Sequence, residues 1–346
     1  MPKKKYTLAD LKADRAKALH EREWYSIRSL LGYTNCYFKI IIGAREAGKS
    51  YAIMKFFVKQ WKEKGKPFTW LRLKESSQRK LLSNKADKFI DADIRRQYDL
   101  DLTVKGCQVY DHGKPMAKVL ALSTFYNDKG VALFDNEYDL GYNICLDEMN
   151  YESGSEKRTI DINYCFVNQM ENLVRSTKEK LNIFLVGNET DEASDILCSF
   201  NFIPEEFGRY HIAKKKAILD YIPPSDAYLR RRKGTVADLL MPNASTFTNK
   251  KIVDKSLVYK GKLHRPTNVI IFSQDEKYTL WDSKVIKEYK NEKSPVIAMK
   301  PYLDSLFSPE LRDNVISIFH NRGFYFRDLM TQKKFKKAIS LMKPNG

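Results

Sequence analysis

The chain has 346 residues, 43% of them hydrophobic, which suffices for two domains with a real core and argues against wholesale disorder. Its formal net charge is +18, a field that draws polyanions and other acidic surfaces. No stretch approaches the roughly 18 consecutive apolar residues of a membrane span, and the basic N-terminus lacks the apolar run of a secretory signal, so a soluble, unsecreted protein without a membrane partner is expected.

In chain order, residues 7–31 read as a helix with a polar Thr7 start and apolar Leu8, Leu11, Ala16, Ala18 and Leu19. CYFKIIIG (36–43) is a short apolar, β-branched run ending at a glycine, the pattern of a buried strand. SYAIMKFFVKQWKEKG then carries Ile53, Phe56, Phe57 and Trp61 on a helix face and stops at Gly65. PFTWLRL (67–73) is the next strand. LTVKGCQVYDHGKPMAKVLAL (102–122) reads as a hairpin turning at His112-Gly113. YNICLDE (142–148) is a further strand, residues 161–175 a helix, and LNIFLVGN (181–188) another strand. Alternation of this kind predicts a mostly parallel sheet covered on both faces.

After Asn188 the pattern changes. Aromatics, charges and a Pro223-Pro224 pair over 195–228 suit a linker, and RRRK (230–233) marks the next boundary. NVIIFSQ, KYTLWDS and SPVIAMK read as strands, 283–291 as a helix, with more helix towards the end. The predicted organisation is therefore a domain over 1–194, a linker over 195–228 and a smaller α+β domain over 229–346. From Arg230 to Gly346 there are 24 Lys/Arg against 11 Asp/Glu, so the last third holds most of the excess charge. Nucleic acid, a membrane surface and an acidic protein all fit that field on charge alone. Five cysteines without a C-x-x-C pair read as free thiols in a reducing compartment.

GAREAGKS, residues Gly43, Ala44, Arg45, Glu46, Ala47, Gly48, Lys49 and Ser50, satisfies G-x-x-x-x-G-K-[ST] between a strand and a helix. Glycines let backbone N–H groups close on phosphate oxygens, Lys49 brings a positive charge to the β/γ phosphates, and Ser50 offers a hydroxyl to Mg²⁺. The helix, opening at Lys49, Ser50 and Tyr51, aims its positive end at the same anion. ATP and Mg²⁺ are the cofactors this predicts. Asp147 and Glu148 at the end of the next apolar strand supply a carboxylate for the metal and a general base for the attacking water. That adjacency favours hydrolysis over transfer to a small-molecule hydroxyl. Asn188 suits either a γ-phosphate sensor or a turn after Gly187. Arg175 suits either a solvated helix-end cation or an arginine finger offered to a neighbouring subunit.

GAREAGKSYA, YNICLDEMN, LVRSTKEK and FLVGN, with the LTVKGCQVYDHGKPMAKVLALS segment, resemble the DNA-packaging ATPases of small podoviruses, over roughly residues 36–190. The resemblance implies an additional-strand (ASCE) P-loop NTPase and a basic, RNase H-like C-terminal domain that binds nucleic acid and does not cut it. It implies a homo-oligomeric ring, pentameric in that family, that drives double-stranded DNA into a procapsid. Packaging RNA and the portal are further partners, and the expected place of work is the host cytoplasm and, transiently, the portal vertex. It places Arg175 as the arginine finger, and Asn188 and Arg72 as residues coupling hydrolysis to movement; Lys74, Arg79 and Lys80, just after Arg72, suit either a DNA contact in the pore or a solvated face. A helicase or replication-initiator ATPase, and an ATP-dependent nucleic-acid-binding switch, share the same motifs.

Overall fold

The computed structural model describes residues 23–124, 140–150, 161–174, 180–188, 195–204, 206–240, 256–303, 307–340 and 342. Two units divide the chain, Met1–Ile196 with Pro204–Ile252, and Leu197–Ile203 with Val253–Gly346.

The first unit is built on a nine-stranded sheet. Its strands are β1 (Phe38–Gly43), β2 (Phe68–Arg72), β3 (Leu102–Lys105), β4 (Gln108–Asp111), β5 (Lys114–Ala121), β6 (Tyr142–Asp147), β7 (Leu181–Asn188), β8 (Gly208–Ile212) and β9 (Ala217–Tyr221). Their order is β3-β4-β5-β2-β6-β7-β1-β9-β8. From β5 across to β9 every neighbouring pair is parallel, and β4, β3 and β8 close the edges antiparallel. Strand β7 lies between β1 and β6, the inserted strand that gives the additional-strand class its name. Every residue of β6 is buried, as is β1 from Lys39 onward, which is why both strands read as unbroken apolar runs.

Helix α1 is Arg28–Leu31. Helix α2 (Lys49–Lys64) begins after Gly48 at φ +82° and ends at Gly65 at φ +64°, whose N–H donates to the carbonyls of Gln60 and Trp61. It buries Ile53, Met54, Phe57 and Val58. The Phe57 ring centre lies 5.3 Å from Phe68, 6.3 Å from Trp70 and 5.7 Å from Phe184, so one side chain ties the helix to strands β2 and β7. Burial of such a ring contributes about 1.5–3 kcal/mol, and here it anchors the middle of α2 on those strands. Helix α3 (Glu75–Ala86) packs on β5, β3 and β2, and α4 (Ala92–Gln97) and α5 (Ile162–Val174) follow in the same unit.

Several expectations change or fall outside the described residues. The helix over 7–31 falls mostly outside the described residues, and within them only α1 is helical. The 102–122 segment is three strands, because Gly106 at φ +60° makes a second turn with Cys107. Residues 195–228 are not a plain linker. After α6 (Asp195–Ser199), β8 and β9 join the main sheet, β9 being a wholly buried five-residue strand beside β1. The RRRK run ends helix α7 (Asp226–Arg232), which with α8 (Val236–Leu240) stays with the first unit, and the division falls at Val253 instead of 229.

The second unit has strands β10 (Pro266–Ile271), β11 (Lys277–Trp281), β12 (Val285–Glu288), β13 (Val296–Ala298) and β14 (Tyr325–Phe326), in the order β13-β10-β11-β12-β14. An antiparallel meander of β10, β11 and β12 carries a parallel strand on each edge. The helix expected over 283–291 is β12. Pairing on both sides, to β11 and β14, and the β-branched Val285-Ile286 outweigh the helical leaning of its Lys and Glu residues. Helices α9 (Pro309–His320) and α10 (Leu329–Ser340) follow, and Phe335 sits among Phe272, Tyr278, Phe319, Phe324 and Phe326. No described helix is long and apolar enough to cross a membrane.

Candidate nucleotide site

Strand register assembles the site. Gly43 lies beside Asn188, Leu71 beside Leu146, and Asp147 beside Val186, so the C-terminal ends of β1, β2, β6 and β7 meet along one rim. Open α/β sheets bind ligands at that rim. A cleft of about 360 Å³ opens there, lined by Arg45, Glu46, Ala47, Gly48, Lys49, Ser50, Tyr51, Asp147, Glu148, Val186 and Asn188.

Lys49 is buried at the cleft floor. Its Nζ donates to the carbonyls of Gly43 (2.8 Å) and Ala44 (2.5 Å) and to Asn188 Oδ1 (3.1 Å). Burial pushes its ammonium down to about 8, with Asp147 opposing that shift and Arg45 adding to it. Ser50 Oγ donates to Asp147 Oδ1 at 2.7 Å, bringing a hydroxyl and a carboxylate oxygen together. A hard, all-oxygen pair of this kind fits Mg²⁺, which takes few protein ligands and the rest from phosphate and water. Among the described residues no cluster of three His, Cys, Asp or Glu forms a cage.

Glu148 follows the last residue of β6 in the left-handed region, φ +58°, a conformation held against its intrinsic cost. The chain thereby turns sharply, and its carboxylate stands at the cleft, 54% exposed. Arg72, at the end of β2, pairs with both carboxylates: its Nη1 donates to Asp147 Oδ2 at 2.8 Å and its Nη2 meets Glu148 Oε2.

Most of the residues expected from sequence therefore converge. Gly43 and Ala44 take part through the carbonyls that hold Lys49, and the rest of the P-loop lines the cleft. Tyr51 lines it too, with its hydroxyl donating to Asp93 Oδ2 at 2.5 Å, a bond that chiefly holds the phenol up to about 12. Arg72 lies nearer the chemistry than sequence alone suggests. Lys74, Arg79 and Lys80 lie outside the cleft; Arg79 pairs with Glu75 on an exposed helix face. Arg175 falls outside the described residues.

Sequence reading missed a second layer behind the loop. Tyr228 Oη donates to the Arg45 carbonyl at 3.0 Å, Arg231 Nη2 to the Glu46 carbonyl at 2.7 Å, and Arg232 Nη1 to Glu46 Oε2 at 2.5 Å. These contacts span more than 180 residues, and no local pattern announces them.

The sequence profile of the podovirus DNA encapsidation protein (Gp16) family matches residues 19–293. The chain belongs to this family. It is 24% identical over 211 residues to the DNA packaging proteins of Bacillus phages PZA and phi29, covering 61% of this chain and 59% of theirs. The alignment thus spans about three-fifths of the curated relatives' length. Among solved structures, the phi-28 gp11 DNA packaging motor matches at a TM-score of 0.70 and 12% identity, over 94% of this chain and all of that one. The phi-29 viral genome packaging motor assembly matches at 0.63 and 18%, over 92% of this chain and all of that one. At such identities the structural likeness speaks for the fold, and the residues of this family member must speak for the chemistry.

Proposed function

We propose that this family member hydrolyses ATP and uses it to drive double-stranded DNA into a viral procapsid, working as a ring of identical subunits. The observation that carries the reading is the meeting of Lys49, Ser50, Asp147 and Glu148 on one cleft at the strand ends. The P-loop amides and Lys49 bind and orient the triphosphate, and Ser50 and Asp147 would hold Mg²⁺. Bound there, the ion neutralises charge developing on the phosphates. Glu148 takes the proton of the attacking water. Arg72, which holds both carboxylates, must yield Glu148 for that step, and so links the catalytic base to strand β2 and the segment after it.

The larger assembly rests on the family and on the relatives' names. A pentameric ring, a neighbour's Arg175 as finger, the portal and packaging RNA as contacts, and the host cytoplasm as the place of work belong to this proposal. The second unit, in this reading, grips nucleic acid through its basic surface and does not cut it. Two of its acidic residues are engaged locally: Asp282 accepts from the backbone N–H groups of His264 and Arg265, and Glu276 from the Tyr278 hydroxyl.

The deciding experiment measures ATP hydrolysis with and without duplex DNA, together with the mass of the assembled species. Duplex stimulation, and loss of both ATP binding and turnover in Lys49→Ala, are expected. Intact nucleotide affinity in that variant would overturn the reading. Turnover independent of protein concentration and untouched by Arg175→Ala would restrict catalysis to a single subunit. Strand separation of a forked duplex would point to a helicase instead.

A further inference from the structure

Glu46 is an awkward residue in a phosphate cradle. It lines the cleft between Arg45 and Ala47, and a carboxylate facing a triphosphate would repel it. Its backbone also sits in the left-handed region, φ +59°, which a non-glycine residue adopts only when its surroundings hold it.

Those surroundings come from α7. Arg232, whose side chain is only 10% exposed, donates from Nη1 to Glu46 Oε2. Arg231 donates to the Glu46 carbonyl, and its Nη1 lies 3.8 Å from the same carboxylate oxygen. Arg231 is itself fixed, stacked 4.1 Å over the Trp24 ring with Nε 3.1 Å from Glu23 Oε1. Trp24 in turn lies against Gly48, where a Cβ would come 3.1 Å from its ring, and the Tyr25 N–H donates to the Ala47 carbonyl at 2.8 Å. Tyr228 holds the Arg45 carbonyl. The loop is therefore gripped from behind at successive residues by one helix and one N-terminal segment of the same unit.

From this geometry we infer that Arg231 and Arg232 are positioning residues for nucleotide binding: they pair with the Glu46 carboxylate and offset its repulsion of the phosphates, to which the P-loop presents its amides and Lys49. The inference rests on the reading of the cleft as a triphosphate site. It makes α7 a structural partner of the P-loop and gives the basic RRRK run a role in the ATPase site, separate from any nucleic-acid grip.

The two possible roles of the arginines, electrostatic and merely structural, part company in a double variant. Exposed ion pairs are individually weak, and Glu46 is 58% exposed, so the effects are modest. Arg232→Ala is expected to weaken ATP binding about three- to fivefold, and Arg231→Ala/Arg232→Ala about tenfold. Adding Glu46→Gln to Arg232→Ala should recover most of the lost affinity, because the charge that needed neutralising has gone. Tripolyphosphate should follow ATP in every variant. An Arg232→Ala/Glu46→Gln variant as weak as Arg232→Ala, or weaker, would overturn the inference and leave the arginines as packing. Loss of ATP affinity with unchanged tripolyphosphate affinity would overturn it too, in favour of a nucleobase contact by Trp24 and Arg231. Thermal melting of each variant separates a folding defect from either outcome. Should the unaltered protein bind neither ATP nor tripolyphosphate, the functional reading itself falls, and the two failures stay distinct.

Discussion

The two units handle charge in opposite ways. In the first, a few charged groups are drawn inward to one rim: Lys49 and Asp147 are buried, and Arg72 ties Asp147 to Glu148. In the second, Lys333 is buried, but several lysines lie nearer the surface over aromatic rings, as some do in the first: Lys287 over Trp281 at 5.2 Å, Lys284 over Tyr259 at 5.4 Å and Lys277 over Tyr289 at 5.9 Å. A charge taken out of water must be matched atom by atom, which is what the proposed hydrolysis asks of the first arrangement. Charges left in water act as a field, suited to a long polyanion and indifferent to its sequence.

The sharpest way to break this contrast is at Glu148. If the first unit's rim performs hydrolysis, Glu148→Gln should cut turnover by about 10²–10⁴-fold while ATP still binds, since a general base contributes on that order. Single-turnover hydrolysis and equilibrium nucleotide binding on the same preparation check this. A fall smaller than about fivefold would mean that the charges gathered at the rim are structural after all.

The cores offer the next test. Phe335 has five aromatic neighbours with ring centres between 5.1 and 6.1 Å, all in the second unit. Phe335→Ala should cost about 3–5 kcal/mol there, from lost burial and the cavity left behind. Denaturant unfolding should show this as an early transition, with ATP affinity unchanged to within about twofold. Simultaneous loss of nucleotide binding would show that the two units do not keep their own cores, and the contrast drawn above would need redrawing.

The same contrast explains how much could be read from the sequence. Strands β1, β2, β6 and β7 were legible because burial on both faces writes a continuous apolar run, and the P-loop because its chemistry demands glycines, a lysine and a serine in fixed order. Asp147 and Glu148 were legible as the polar end of such a run. Strand β9, AILDY, was hidden in a segment whose prolines and charges resemble a linker; its place beside β1 is set by pairing across nearly 180 residues. Strand β12 was misread because short Lys/Glu-containing segments take the structure their neighbours impose. Arg231 and Arg232 were read as boundary charge, since nothing local to RRRK says that it meets Glu46. Arg72 was found through family resemblance, and register then explained it, Leu71 lying beside Leu146.

The smallest expected effect comes from the burial of a single cation. Lys49 is held down to about 8 by its surroundings, so the free site carries it mostly charged at pH 7 and mostly neutral at pH 9. A bound triphosphate favours the charged form and raises that value, so binding takes up a proton once the pH exceeds about 8. Affinity should therefore be flat from about pH 6.5 to 7.5 and about tenfold weaker at pH 9, falling with further rise until the bound site's own value is reached. Lys49→Arg should bind more weakly throughout, because a planar guanidinium does not fit the cradle as an ammonium does, but its affinity should stay level across the same range, since arginine keeps its charge. Nucleotide titrations at constant ionic strength read the two slopes. Equal slopes would assign the pH dependence to some other group and remove the one titratable consequence of drawing Lys49 into the fold.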